Sequence, residues 1–239
     1  MKKALAIILA VALLCIMAVG TTLTYFTDTK GNVNTMTVGE VKITQNEDFT
    51  PNTHLYPYIG EVPATGDYSL ASNAVTKTVT VTNSGSEAAY VRTLFAFEAV
   101  NGANPIATGV IHANYNTAVD ANNNAIGTWA KAAEDPITIT RNGTSTTYYI
   151  YSFTYAQAIN PKNGTTPAET TPHSLKQIAL DSEQDNSFYG YVGNEYTVLV
   201  LSQAVQTAGF GTADAAFTAA FPINGGNLVS WFDKVVPNP

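Results

Sequence analysis

The stretch "KTVTVTNSGSEAAYVRTLFAFE", Lys77 to Glu98, limits the possible folds more than any other part of the chain. Val79 and Val81 alternate with Thr78, Thr80 and Thr82. That period of two suits a strand with one buried and one wet face, and it suits no helix. Every one of these residues is β-branched and favours a pleated, half-buried surface. Asn83-Ser84-Gly85-Ser86 then reads as a turn. From Ala89 to Glu98 the chain is apolar on both faces apart from Arg92, which predicts a central strand covered on two sides.

Similar signals recur along the chain. Val41 and Ile43 alternate with Glu40, Lys42 and Thr44 as in a strand. Asn46 to Tyr68 is rich in Pro, Asn and Gly and reads as loop. Asn101 to Asn124 reads as loop with one short strand near Gly109–Ile111. Ile137–Thr140 and Thr146–Tyr155 predict a hairpin turned at Arg141-Asn142-Gly143. Asn160 to Pro172 reads as loop and Glu195 to Leu201 as a buried strand. Thr212 is placed to cap a short helix over Ala213–Phe221, which Pro222 ends. Many short strands separated by turn signals, with no long amphipathic helix, predict an all-β sandwich with short helices. No break in composition divides residues 25–239, which are expected to form a single domain.

The N-terminus has a different character. Lys2 and Lys3 precede an unbroken apolar run from Ala4 to Val19, which Gly20 ends. This is the anatomy of a signal-peptide helix over residues 1–24, since a membrane anchor wants about 20 apolar residues. Thr22 and Thr24 hold the positions where a signal peptidase needs small residues. A cut before Tyr25 would release a secreted, extracellular protein that touches the membrane only through its uncleaved leader. Cys15, the one cysteine, lies in the leader, so no disulfide framework or thiol chemistry is expected. Charged residues are only 12% and the formal charge is −7, which argues against a nucleic-acid partner.

Residues capable of chemistry are scattered. His54, His112 and His173 share no metal-binding spacing. Asp120, Asn122 and Asn124 begin like a calcium loop, but Ala125 replaces the required Gly and Lys131 the bidentate Glu. "DSEQDNS", Asp181 to Ser187, reads as a solvated acidic loop, and Asn142 and Asn163 begin N-x-T sequons. No nucleophile elbow or phosphate loop occurs, so neither enzymatic activity nor a cofactor is expected. Tyr149, Tyr151, Phe153 and Tyr155 share one strand face. They suit core packing or, as the alternative, a contact face for another subunit or a carbohydrate.

Three blocks resemble the TasA/camelysin family of secreted proteins. The first is "TYFTDTKGNVNTMTVGEVKI", with Tyr25, Phe26, Thr27 and Asp28, then Asn34, Thr35, Met36, Thr37, Gly39, Val41 and Ile43. The second is "VTVTNSGSEAAYVR", Val79 to Arg92, and the third "VLVLSQAVQTAGFGTADAAFTAAF", Val198 to Phe221. They stand in the family's order; Thr24 replaces the usual Ala before the cut, and residues 99–190 hold long insertions. The resemblance implies a jelly-roll-like β-sandwich from a Gram-positive bacterium. It implies a leader removed by a SipW-type signal peptidase and self-assembly into biofilm matrix fibres. The camelysins are described as surface metallopeptidases, but no zinc motif supports that activity in this chain. Residues 25–36 would then form an extended arm, including Tyr25, Phe26, Thr27, Asp28, Val33 and Met36, able to add as a donor strand to the next copy. The arm could instead pair within its own sheet or hang as a tail. A secreted module that binds polysaccharide or a protein partner is the alternative from another class.

Overall fold

The computed structural model describes residues 40–49, 55, 74–116, 129–181 and 196–236. The chain divides into two compact units, 1–38 and 39–239. The first lies outside the described residues, and all that follows concerns the second.

Nine strands and two short helices are described: β1 (Ile43–Phe49), β2 (Val75–Asn83), β3 (Ala89–Glu98), β4 (Ile111–Tyr115), β5 (Trp129–Ala133), β6 (Ile137–Arg141), β7 (Thr144–Tyr155), β8 (Leu175–Leu180), β9 (Val198–Gln206), α1 (Ala213–Ala220) and α2 (Gly225–Phe232). One sheet has the order β1-β2-β8-β4. The other has the order β5-β7-β3-β9, with β6 also paired to β7. Every pairing between these strands is antiparallel. One core joins the inner faces, with Val79 and Val81 from β2, Leu175 and Ile178 from β8, Phe95 and Phe97 from β3, and Phe153 from β7. The all-β sandwich is therefore the architecture of this unit.

The alternation of β2 works as expected, since Val79 and Val81 are fully buried while Thr78, Thr80 and Thr82 are half-buried. β3 is central, between β7 and β9, and is covered on both faces. Its inner face meets the opposing sheet, while Leu94 and Ala96 pack outward with Leu228 and Phe232 of α2. Ala216 and Phe217 of α1 cover Val205 of β9 on the same side. Thr212 caps α1 by accepting a hydrogen bond from the Ala215 N–H. Asn142 (φ 50°) and Gly143 (φ 81°) form the tight hairpin turn from β6 to β7, where two consecutive left-handed residues match the twist of the strands.

Several elements differ from the sequence reading. β2 and β3 flank one turn but belong to different sheets, so the turn carries the chain across the sandwich. β1 continues through Asn46–Phe49, which reads as loop in the sequence. Side-chain pairing holds it there: Asn46 Nδ2 donates to Thr82 Oγ1 at 3.0 Å, and Lys77 pairs with Glu47 at 2.7 Å. The strand near Gly109–Ile111 lies at Ile111–Tyr115, and the buried strand of Glu195–Leu201 lies at Val198–Gln206. β5, β8 and α2 have no counterpart in the sequence reading.

Candidate functional site

The sandwich has two rims, and they are built differently. On one rim β4 and β5 end their sheets. There the Lys131 ammonium of β5 reaches across to lie 4.5 Å from the Tyr115 ring centre and 4.6 Å from that of Tyr151. Lys131 is exposed as a residue, but desolvation of its ammonium lowers its pKa. Cation–π contact offsets part of the desolvation and draws the two sheets together.

On the other rim β1 and β9 end their sheets. A side-chain contact crosses here, with Ser202 Oγ donating to Gln45 Oε1 at 2.6 Å. Beside it lies an open groove of about 360 Å³. Val41, Ile43, β9 residues 201–204, Phe221, Trp231 and Lys234 line it. β9 matches β3 without a register shift, from Ala89↔Gln206 to Phe97↔Val198. Among the described residues its other edge has no strand partner. An unpaired edge presents N–H and C=O groups that another strand can take, and proteins usually guard such edges with charge, proline or bulges. "VLVLSQAVQ" carries no charged residue and no proline.

Arg92 stands beneath this groove. It is 5% exposed and lies opposite Gln203 in the β3–β9 register. Its Nε and Nη2 donate to Gln203 Oε1 at 3.1 and 2.6 Å, and Nη2 also donates to the Phe221 carbonyl at 2.8 Å. The guanidinium lies 4.6 Å from the Phe217 ring centre and 5.9 Å from that of Trp231. Burial lowers its pKa to about 10, partly offset by the charge of Glu134, and it stays protonated at neutral pH. Among the described residues no carboxylate forms an ion pair with it; Glu134, whose charge acts on it from further away, accepts from Ser152 Oγ.

Glu40–Lys42, which leads into β1, is clamped to the β2–β3 turn. Ser84 N donates to Lys42 O at 2.9 Å, Ser86 N to Glu40 O at 2.8 Å, and Glu40 N to Ser86 Oγ at 2.8 Å. Only glycine fits at the centre of that turn. A Cβ on Gly85 would stand 2.2 Å from Glu40 O and 2.7 Å from Lys42 N.

The aromatic run of β7 belongs to the core, not to an outward contact face. Tyr151, Phe153 and Tyr155 are buried. Phe153 packs edge-on to Phe95 at 5.3 Å and against Tyr115 at 4.7 Å; Tyr155 packs on Trp129 at 5.2 Å. Tyr149, midway along β7, is half-buried, and its hydroxyl donates to Gly102 O. The period of two groups these four rings on one face, and the opposing sheet then covers that face.

Thr22, Thr24 and the arm residues Tyr25, Phe26, Thr27, Asp28, Val33 and Met36 lie outside the described residues, as do His54 and the Asp120–Asn124 segment. His112 pairs with Asp181 at 2.5 Å, and residues 182–187 of the acidic stretch lie outside the described residues. Among the described residues no three His, Cys, Asp or Glu side chains converge to hold a metal, and no helix is long and apolar enough to cross a membrane. Comparison with protein-family models, with characterised proteins and with solved structures finds no match to this chain.

Proposed function

We propose that this chain is a structural subunit of an extracellular fibre of the biofilm-matrix type, exported by its leader and freed by a SipW-type signal peptidase. The observation that carries this reading is the β9 edge: in unbroken register with β3, uncharged and beside an open groove. Once residues 1–24 are removed, residues 25–36 of one copy add along β9 of the next. Main-chain hydrogen bonds give affinity, and Tyr25 and Phe26 fix the register. Such a head-to-tail contact does not close on itself, so it propagates as a filament. The resemblance of the leader, turn and closing blocks to the TasA/camelysin family supports the same reading. The protein's partners are then other copies of itself and the peptidase, and its role requires no catalysis.

Electron microscopy of purified residues 25–239 tests this directly. Filaments are expected from that chain, and folded monomers without filaments from one lacking Tyr25–Thr35. Filaments from the shortened chain would end the donor-strand account.

A further inference from the structure

We infer that the β9 groove selects an occupant bearing a carboxylate, and that Asp28 of a second copy supplies it, pairing with Arg92 and Lys234. This rests on the assembly reading above and adds the residues that determine specificity. Arg92 and Lys234 are two cations at one groove with no described ion-pair partner, in a chain whose formal charge is −7. Lys234 is exposed on the groove wall. Arg92 is buried just beneath it, held by Gln203 and the Phe221 carbonyl, both from residues of the groove wall. Its Nη1 forms no hydrogen bond to a described residue. A desolvated cation gains strongly from an anion placed beside it, because neither water nor salt screens the pair fully.

Strand geometry fixes where that anion must sit. Leu201, Gln203 and Val205 point to the helix side of β9, as their packing with α1, α2 and Arg92 shows. An added strand places its residue opposite Gln203 on that same side, with side chains about 5 Å apart. A carboxylate at that position faces Gln203, which holds the Arg92 guanidinium, in the groove that Lys234 also lines. Between Tyr25 and Gly39 the sequence offers one acidic residue, Asp28. The register follows: Asp28 opposite Gln203, with Phe26 and Lys30 on the helix side and Thr27 and Thr29 turned toward the gap between the sheets.

Assembly of residues 25–239 tests the pairing without disturbing the fold, because the substitutions fall in the arm. Asp28→Asn should raise the critical concentration for filaments at least about tenfold, and Asp28→Glu should restore most of the loss. Added salt should raise the critical concentration of the wild type more than that of Asp28→Asn. Zero-length carbodiimide cross-linking of wild-type filaments should join Asp28 to Lys234. Wild-type assembly by Asp28→Asn, or cross-links from Asp28 only to other lysines, would overturn the pairing while leaving the fibre reading intact. Failure of the wild type itself to assemble would remove both.

Discussion

Gly85→Ala should free the segment that leads into β1 while sparing the core. The turn is not strained at this glycine; what forbids a side chain is the close approach of Glu40 O and Lys42 N, at 2.2 and 2.7 Å from the added carbon. Both contacts are to backbone atoms, so no rotamer change relieves them, and Glu40–Lys42 must move away. That movement breaks the three hydrogen bonds linking Glu40 and Lys42 to Ser84 and Ser86. At a net ~0.5–1.5 kcal/mol each, and near the lower end for an exposed site, their loss costs about 2–3 kcal/mol. Alanine also restricts the unfolded chain, which returns ~0.4–1 kcal/mol. The expected net loss is thus about 1–3 kcal/mol. Urea unfolding should show a lower midpoint with an unchanged slope. Hydrogen exchange should quicken at the Glu40, Ser84 and Ser86 amides while the β3 and β7 amides hold. Gly211→Ala, at a site with nothing within 4 Å, is the matched control and should gain ~0.4–1 kcal/mol. A Gly85→Ala midpoint equal to that of the control, with native exchange at Ser84 and Ser86, would refute the reasoning.

Phe153→Ala removes a fully buried ring between the two sheets and should cost about 3–5 kcal/mol by chemical denaturation. Asn83→Ala should cost about 2–4 kcal/mol in the same assay. Its fully buried amide donates to Glu87 O and Ile159 O and accepts from Gly85 N, so three hydrogen bonds are lost, although Ile159 O keeps the Ala89 N–H. Glu169 should titrate below its ordinary value of 4.5, because its carboxylate accepts from the Asn160 backbone N–H and, secondarily, from the Asn160 side chain. A depressed folded-state pKa means the contribution is complete above pH ~4.5 and is lost as pH falls through the folded value. An NMR titration of the Glu169 carboxyl group should show this, and Glu169→Gln should remove that part of the acid dependence.

The elements legible in the sequence are those whose signal is local. β2 has its Val/Thr alternation, the β6–β7 hairpin its Asn142-Gly143 turn, and α1 its Thr212 cap. The elements that were not legible draw their order from partners. β5, "WAKAA", buries only Trp129 and is a strand because β7 offers it an edge. In β8 the buried residues Leu175 and Ile178 stand three apart, a helix-like spacing, and the pairing of β2 with β8 shifts register nearby. α2 begins with two glycines and depends on the Asn224 cap and on packing of Leu228 and Phe232 against β3 and β6. The site divides in the same way. That "VLVLSQAVQ" is apolar and uncharged is visible in the sequence, but its position at a sheet edge is a fact of topology. Arg92 stands out in the sequence as the one charge inside an apolar strand that ends on Glu98. Its nearness to Lys234 and the groove appears only when β9 and α2 are placed around it.

The contrast between the rims bears on how such a sandwich could assemble in one direction. Each rim ends two sheets, and an open sheet end invites pairing. At the β4–β5 rim a lysine is spent as a bridge, its ammonium held over two tyrosine faces. At the β1–β9 rim no charge is used on the β9 edge. The charge near this rim lies instead off the strand, in Arg92 behind it and in Lys234 on the groove lining, and neither repels a neutral or acidic strand approaching the edge. Under the assembly reading, each copy then offers one receptive edge and one closed rim. The arm of the next copy has a single place to bind, and growth is polar because the fold itself is asymmetric.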